Sequence, residues 1–388
     1  MKNIKYFVLP LSMILSACGG GSSTPEMNNP GSGMPPVDVA QMKIQLGEML
    51  FMDENLSEPA GQSCATCHDP VMGFSDPDVS VSSPVSAGVV SGRFGNRNAP
   101  TASYASFIPT FQYDAANQQY IGGQFLDGRA PTLADQAKGP FLNPAEMANT
   151  DEQMVIDKIK ARPYSNMFKQ VYGDNSLDNA TTAYDQMAEA IAAFESTQMF
   201  SPFTSKYDAV LAGNAQLTAE EQRGLDLFKG RGKCTECHTL DPDPVTNRPM
   251  LTNYTYSNIG TPKNPDNPVY SSDANYIDLG LAENPLLTTS ATQERGKFRV
   301  PTLRNVELTA PYGHNGVFES LEQIVSFYNT RDSKACWGDP TDNPMVNCWP
   351  APEVVDNMDL ANMGDILLSA TDEADIVAFM KTLTDGYF

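Results

Sequence analysis

Two short stretches of this chain carry residues whose spacing implies chemistry. They are Cys64-Ala-Thr-Cys67-His68 and Cys234-Thr-Glu-Cys237-His238. The pattern C-x-x-C-H is the attachment signature of c-type haem. Two thiols three positions apart form thioethers with the haem vinyl groups, and the adjacent imidazole ligates the iron. A zinc site built from the four cysteines would leave both histidines without a role. The chain has only three histidines, and the two motifs use two of them. The reading is a dihaem cytochrome, and it raises the question of what occupies the opposite face of each iron.

Helical periodicity dominates the segments that must position these motifs. Gln45–Phe51, "QLGEMLF", precedes the first motif, and Gln222–Phe228, "QRGLDLF", precedes the second. Both read as short amphipathic helices, and the latter opens with a capping box from Thr218 to Glu221. "NAPTASYA" follows the first motif and "RVPTLRNV" the second, and residues 125–140 pair without a gap with residues 313–328. Such self-similarity indicates an internal duplication. The expected fold is mainly α, with two tandem cytochrome c-like domains, 38–200 and 201–388, each carrying one covalently attached haem.

The repeat bears on the open question. Ser320 and Gln323 start a helix whose last turn carries Tyr328, and Tyr328 pairs with Pro140. If that position faces the iron, one haem receives a phenolic oxygen and the other a residue with nothing to ligate, leaving an open iron. Chemistry alone does not select Tyr328. His314 is the spare histidine, and Met250, Met345, Met358 and Met363 are also near the second motif in sequence.

The N-terminus has Lys2 and Lys5, an apolar run of about ten residues, and then Leu15-Ser16-Ala17-Cys18. Residues 1–17 read as a lipoprotein signal and Cys18 as the lipidated first residue of the mature chain; a cleaved signal with an incidental cysteine is the alternative. Gly19 in place of an aspartate favours the outer membrane, at its periplasmic face or the cell surface. Residues 18–37, rich in Gly, Ser and Pro, form a flexible tether. Export suits c-type haem and permits a disulfide between Cys336 and Cys348, twelve positions apart, although a redox-active pair is the other reading. With 25 basic and 47 acidic residues, net charge −22, the chain is a poor partner for nucleic acid and a suitable one for a basic electron donor.

"KFRVPTLRNVELTAPYGHNGVFESLEQIVSFYN" and "FLDGRAPTLADQAKGPFLNPAEM" resemble the bacterial dihaem cytochrome c peroxidase and MauG family, and the likeness extends over nearly all of the mature chain. In that family the sixth ligand of the second haem lies fourteen residues after the histidine of P-Y-x-H-[Asp/Asn]-G, as methionine in ordinary peroxidases and tyrosine in MauG. Here the position is Tyr328, which makes His314 a structural or pocket residue. Ordinary peroxidases also place a capping histidine after the first motif, and residues 69–125 contain none. Both departures imply the MauG-like branch. The resemblance further implies Gln136 and Glu146 as the peroxide-side pair. It implies a calcium ion held by the Asn98 side chain and the carbonyls of Thr309 and Pro311. The family's inter-haem tryptophan is replaced here by Leu126, which cannot be oxidised in relay. The implied activity is reaction with hydrogen peroxide, using electrons from a small cytochrome or cupredoxin or, as in MauG, from a side chain of a partner protein. A non-catalytic dihaem carrier is the alternative.

Overall fold

The structure, a computed structural model, describes residues 38–337 and 344–387. The signal, Cys18 and the tether lie outside the described residues. The unit Val39–Phe388 is mainly helical. Its helices are α1 (Val39–Met52), α2 (Cys64–Cys67), α3 (Leu133–Leu142), α4 (Glu152–Lys160), α5 (Ser165–Tyr172) and α6 (Ala180–Glu195). They continue with α7 (Lys206–Leu211), α8 (Ala219–Lys229), α9 (Pro268–Ser272), α10 (Leu321–Thr330) and α11 (Ala370–Lys381). Among the described residues, seven short 3-10 helices and two small antiparallel ribbons complete the regular structure. Gln112–Asp114 pairs with Gln119–Ile121, and Tyr256–Ser257 pairs with Phe298–Arg299.

Helix starts follow their capping residues. Thr218 Oγ1 accepts the Glu221 N–H at 3.3 Å while Glu221 Oε2 accepts the Thr218 N–H at 2.7 Å, the reciprocal box expected from the sequence. Ser369 and Asp372 form the same box at the start of α11. At α10, Ser320 Oγ accepts from Gln323 N, but the Gln323 side chain reaches one residue further back, to Glu319 N.

The chain packs around two hydrophobic cores. One gathers side chains between Leu46 and Phe200, from α1 and α3–α6; the other gathers side chains between Tyr207 and Leu383, from α7, α8, α10 and α11. Each core is organised by one close helix crossing. A Cβ at Gly47 would stand 1.9 Å from the Ala190 carbonyl oxygen, and one at Gly224 would stand 1.9 Å from the Asp375 oxygen. Above each glycine an edge-to-face pair closes the crossing. Phe51 meets Phe194 at 5.5 Å, and Phe228 meets Phe379 at 5.2 Å. The repeat seen in "QLGEMLF" and "QRGLDLF" is thus a repeated helix pair, α1 on α6 and α8 on α11. Gly47→Ala or Gly224→Ala forces two backbones apart, and we expect each to cost about 1–3 kcal/mol or more, read as a lower denaturant midpoint at unchanged slope.

The correspondence continues through the chain. Helices α3 and α10 are each ten residues long and start after Thr132 and Ser320, which are equivalent in the ungapped pairing. The bridges Gln124–Ala130 and Tyr312–Phe318, at the same offset, turn the chain before each helix. Position 140 of α3 therefore corresponds to position 328 of α10 in structure as well as in sequence.

Candidate haem sites

Each C-x-x-C-H motif follows its crossing helix and ends in a buried or half-buried imidazole. His68 Nδ1 donates to the Phe74 carbonyl at 3.0 Å, and His238 Nδ1 donates to the Leu251 carbonyl at 2.9 Å. This fixes the tautomer, with the proton on Nδ1, and leaves Nε2 of each ring able to ligate a metal. Burial pushes both imidazoles down, His238 to about 4, so both are held in the neutral form that binds metal. The two carbonyls are presented by residues in left-handed backbone, Phe74 at φ 57° and Leu251 at φ 58°. Bulky side chains rarely adopt that conformation, and its cost is met by local anchoring. Thr101 Oγ1 donates to the Gly73 carbonyl at 2.5 Å, and Thr302 Oγ1 donates to the Met250 carbonyl at 2.7 Å. These threonines belong to the repeated Pro-Thr of "NAPTASYA" and "RVPTLRNV", which thereby holds the loop that orients the histidine of each motif.

Cys64, Cys67, Cys234 and Cys237 are all free thiols. Burial pushes them up, Cys237 to about 11 and Cys67 and Cys234 to about 12. Gln62 Nε2 lies 3.7 Å from Cys67 Sγ and donates to the Ala87 carbonyl at 2.9 Å. In the second half a cavity of about 250 Å³ is lined by Cys234, Cys237 and His238 together with Tyr328. Leu321, Ile324, Val325, Ile376 and Met380 supply much of its apolar wall. An anchored imidazole, two free thiols and an apolar slot fit a covalently held haem, and the donor set fits no zinc site.

Tyr328 shares this cavity with the motif. Burial pushes its phenol up, and the thiols of Cys237 and Cys234 lie close enough to add to that shift. Its helix is braced from outside: Cys336 and Cys348 are bonded, with Cα atoms 5.6 Å apart, and the neighbouring Trp349 Nε1 donates to Thr330 Oγ1 at 2.9 Å. Among the sequence rivals, Met250 and Met363 also line the cavity. Met345 lines a separate depression, and Met358 packs against Gly260. His314 is buried, stacked on Phe298 at 3.8 Å, with Nε2 3.9 Å from Glu353 Oε2. It also borders the cavity, and its carbonyl accepts from Asn98 N at 2.8 Å.

In the first half, Pro140 occupies the position of Tyr328. Gln136 lies one turn earlier on the same face of α3, where its counterpart is the cavity-lining Ile324. Glu146 follows α3 in a turn and is half-buried. Its backbone N–H donates to the Asn143 carbonyl, and Asn143 Nδ2 donates to Glu146 Oε1 at 2.8 Å. Burial pushes the Glu146 carboxyl up, offset in part by the Asn143 bond and by Arg129. The carboxylate is near enough to Cys64 and Cys67 to act on both thiols. Two acidic groups near the same motif carry no sequence signature. Asp76, buried, acts on Cys67 and His68, and Glu195, also buried, acts on Cys64.

Leu126, Asn98, Thr309 and Pro311 all border the cavity of the second half. The Leu126 carbonyl accepts from Arg299 N at 2.8 Å, and Asn98 Nδ2 donates to the Pro84 carbonyl at 2.9 Å. Among the described residues no three His, Cys, Asp or Glu side chains gather as a metal site, so an ion here would depend on amide and backbone oxygens.

A mainly helical framework used twice, each time presenting two thiols and one anchored imidazole, defines a protein built for two c-type haems. Residues 41–216 match the family model of di-haem cytochrome c peroxidase. The chain is 41% identical to the methylamine utilization protein MauG of Paracoccus denitrificans, with 88% of each chain covered. It is 33% identical to the cytochrome c551 peroxidase of Nitrosomonas europaea, with 81% of each covered. In structure it resembles the diheme peroxidase BthA of Burkholderia thailandensis, with a TM-score of 0.76 and 30% identity over 88% of this chain and 86% of that one. The chain belongs to the bacterial dihaem cytochrome c peroxidase and MauG family.

Proposed function

We propose that this chain is an exported dihaem peroxidase of the MauG-like branch, with an open first haem site and a second haem held between His238 and Tyr328. The observation that carries the reading is the asymmetry of two equivalent helices, α3 carrying Pro140 and α10 carrying Tyr328 at matching positions in their last turns. In this reading residues 38–200 form the peroxidatic domain and 201–388 the electron-transfer domain, each with its own core.

Haem iron, when bound, supplies a Lewis-acidic site for the peroxide and the electrons for cleaving its O–O bond. The residues then have separable tasks. Cys64, Cys67 and His68 hold the first haem, and Cys234, Cys237 and His238 hold the second. Pro140 offers no donor atom, so the distal side of the first site stays free for peroxide. Gln136 orients the peroxide by hydrogen bonding. Glu146 Oε accepts the proton of the inner peroxide oxygen and returns it to the outer oxygen, which leaves as water. Asn143 aims that carboxylate. The Asn98 amide oxygen and the Thr309 and Pro311 carbonyls are the hard donors that would hold a calcium ion, which would tie together the loops beside the cavity. Leu126 leaves electron exchange between the haems to direct tunnelling.

Tyrosine ligation stabilises ferric iron, and this favours oxidation of a side chain on a partner protein over storage of high-potential electrons. A small cytochrome or cupredoxin is the other source of electrons, and the acidic chain suits a basic one. A lipid on Cys18 would anchor the enzyme at the outer membrane; among the described residues no helix is long and apolar enough to cross a membrane. Cyanide titration of the resting diferric holoprotein tests the open site. One cyanide per protein is expected to bind with micromolar or tighter affinity and perturb a single haem. Binding to neither haem would support a non-catalytic carrier.

A further inference from the structure

The repeated helix crossing places an acid where its counterpart is apolar. Gly47, Ala190 and Phe194 in the first half correspond to Gly224, Asp375 and Phe379 in the second. The residue after each phenylalanine is Glu195 in α6 and Met380 in α11. Met380 lines the cavity of the second haem site. Glu195 is only 4% exposed, and its Oε2 has no hydrogen-bond partner among the described residues. It lies close enough to Cys64 to act on that thiol. A buried carboxyl oxygen without a partner is costly, and such groups are held neutral or serve a function.

We propose that Glu195 is a buried proton acceptor of the first haem pocket, taking up one proton when the iron of that haem is reduced. The proposal rests on the haem-site reading above. One electron from a reducing partner goes to the iron, and one proton from solvent goes to a Glu195 carboxylate oxygen, so the pocket gains no net charge. Desolvation alone pushes the Glu195 carboxyl up to about 8, so the carboxylate that takes the proton is present from about that pH upward, and this sets the window of the effect. Loss of positive charge at the iron raises it further.

The ionisable groups packed on α6 do not compete for this role, and Glu146 and Asp76, the other acids near this motif, stay unchanged in variants of Glu195. Cys64 of α2 becomes a thioether once haem is attached. Lys43 of α1 pairs with Glu189, Lys138 of α3 with Asp185, and Glu152 of α4 with Thr181, all on other turns of α6. The Ala105–Phe107 turn against α6 brings no ionisable side chain.

The test uses the holoprotein, the near-isosteric E195Q and E195M, which installs the second-half residue. Mass spectrometry of the Cys64–Cys67 peptide first establishes haem attachment; its absence overturns the site and the proposal together. With haem attached, potentiometric titration of the first haem across pH should show the wild-type equilibrium shifting up to tenfold per pH unit, about 59 mV for one electron. Redox-difference infrared spectra should show a carboxylic C=O band gained on reduction. Both variants should lose the band and flatten the slope over that window while keeping haem. An unchanged slope in E195Q, or no carboxylic band in the wild type, overturns the proposal and leaves the site reading standing.

Discussion

Glu146→Gln is expected to slow the reaction of the resting protein with hydrogen peroxide by about 10²–10⁴-fold, the usual scale of general acid–base help. The change is close to isosteric, and the Asn143 contact at 2.8 Å can persist, so both haems and access of small ligands should be preserved. What is removed is the ability to accept a proton at Oε and return it. The pH profile gives a second signature. Accepting the peroxide proton requires the carboxylate, and burial raises the pKa of this carboxyl. The wild-type rate should therefore fall on the acid side of that raised pKa, and the Gln variant should lack this limb. Stopped-flow absorption at several pH values measures both effects. A variant that reacts at the wild-type rate would remove Glu146 from the chemistry and leave it as a bracing residue of the turn after α3.

Tyr328→Phe should remove the phenol ligand of the second haem, and with it the low-spin signal, while leaving His238 in place and the first haem nearly untouched. Phe keeps the ring that packs in the cavity and removes only the hydroxyl, so the expected loss is spectroscopic and not of fold. His314→Ala is the matched control. His314 stacks on Phe298 and approaches Glu353, and its removal should lower stability by about 1–3 kcal/mol without changing the ligand signal. Low-temperature spectra of both variants separate the roles. Loss of the signal in His314→Ala alone would make the histidine the ligand.

The elements that place these residues were unevenly legible in the sequence. Both C-x-x-C-H motifs, the two pre-motif helices and the last turn of α10 could be read from spacing and capping residues, because each depends on local pattern. Equivalence of Pro140 and Tyr328 followed from an ungapped pairing whose two helices prove to start at matching caps. By contrast, the carbonyls of Phe74 and Leu251 that fix the two motif histidines lie in left-handed backbone at an aromatic and an aliphatic residue, against local preference. Only the tertiary anchoring by Thr101 and Thr302 accounts for them. Glu195 was hidden for another reason. On a helical wheel it reads as the polar end of an amphipathic helix, and only the Gly47–Ala190 crossing shows that it turns inward. A site built on the carbonyls of Thr309 and Pro311 has no side-chain signature, so family resemblance alone could suggest it.

The two sites are unlike, one open and one closed by Tyr328, and an electron paramagnetic resonance spectrum of the resting diferric holoprotein distinguishes them. Two ferric species are expected in equal amounts, a high-spin signal from the first haem and a distinct low-spin signal from the second. Two low-spin haems in the resting protein would contradict an open first site.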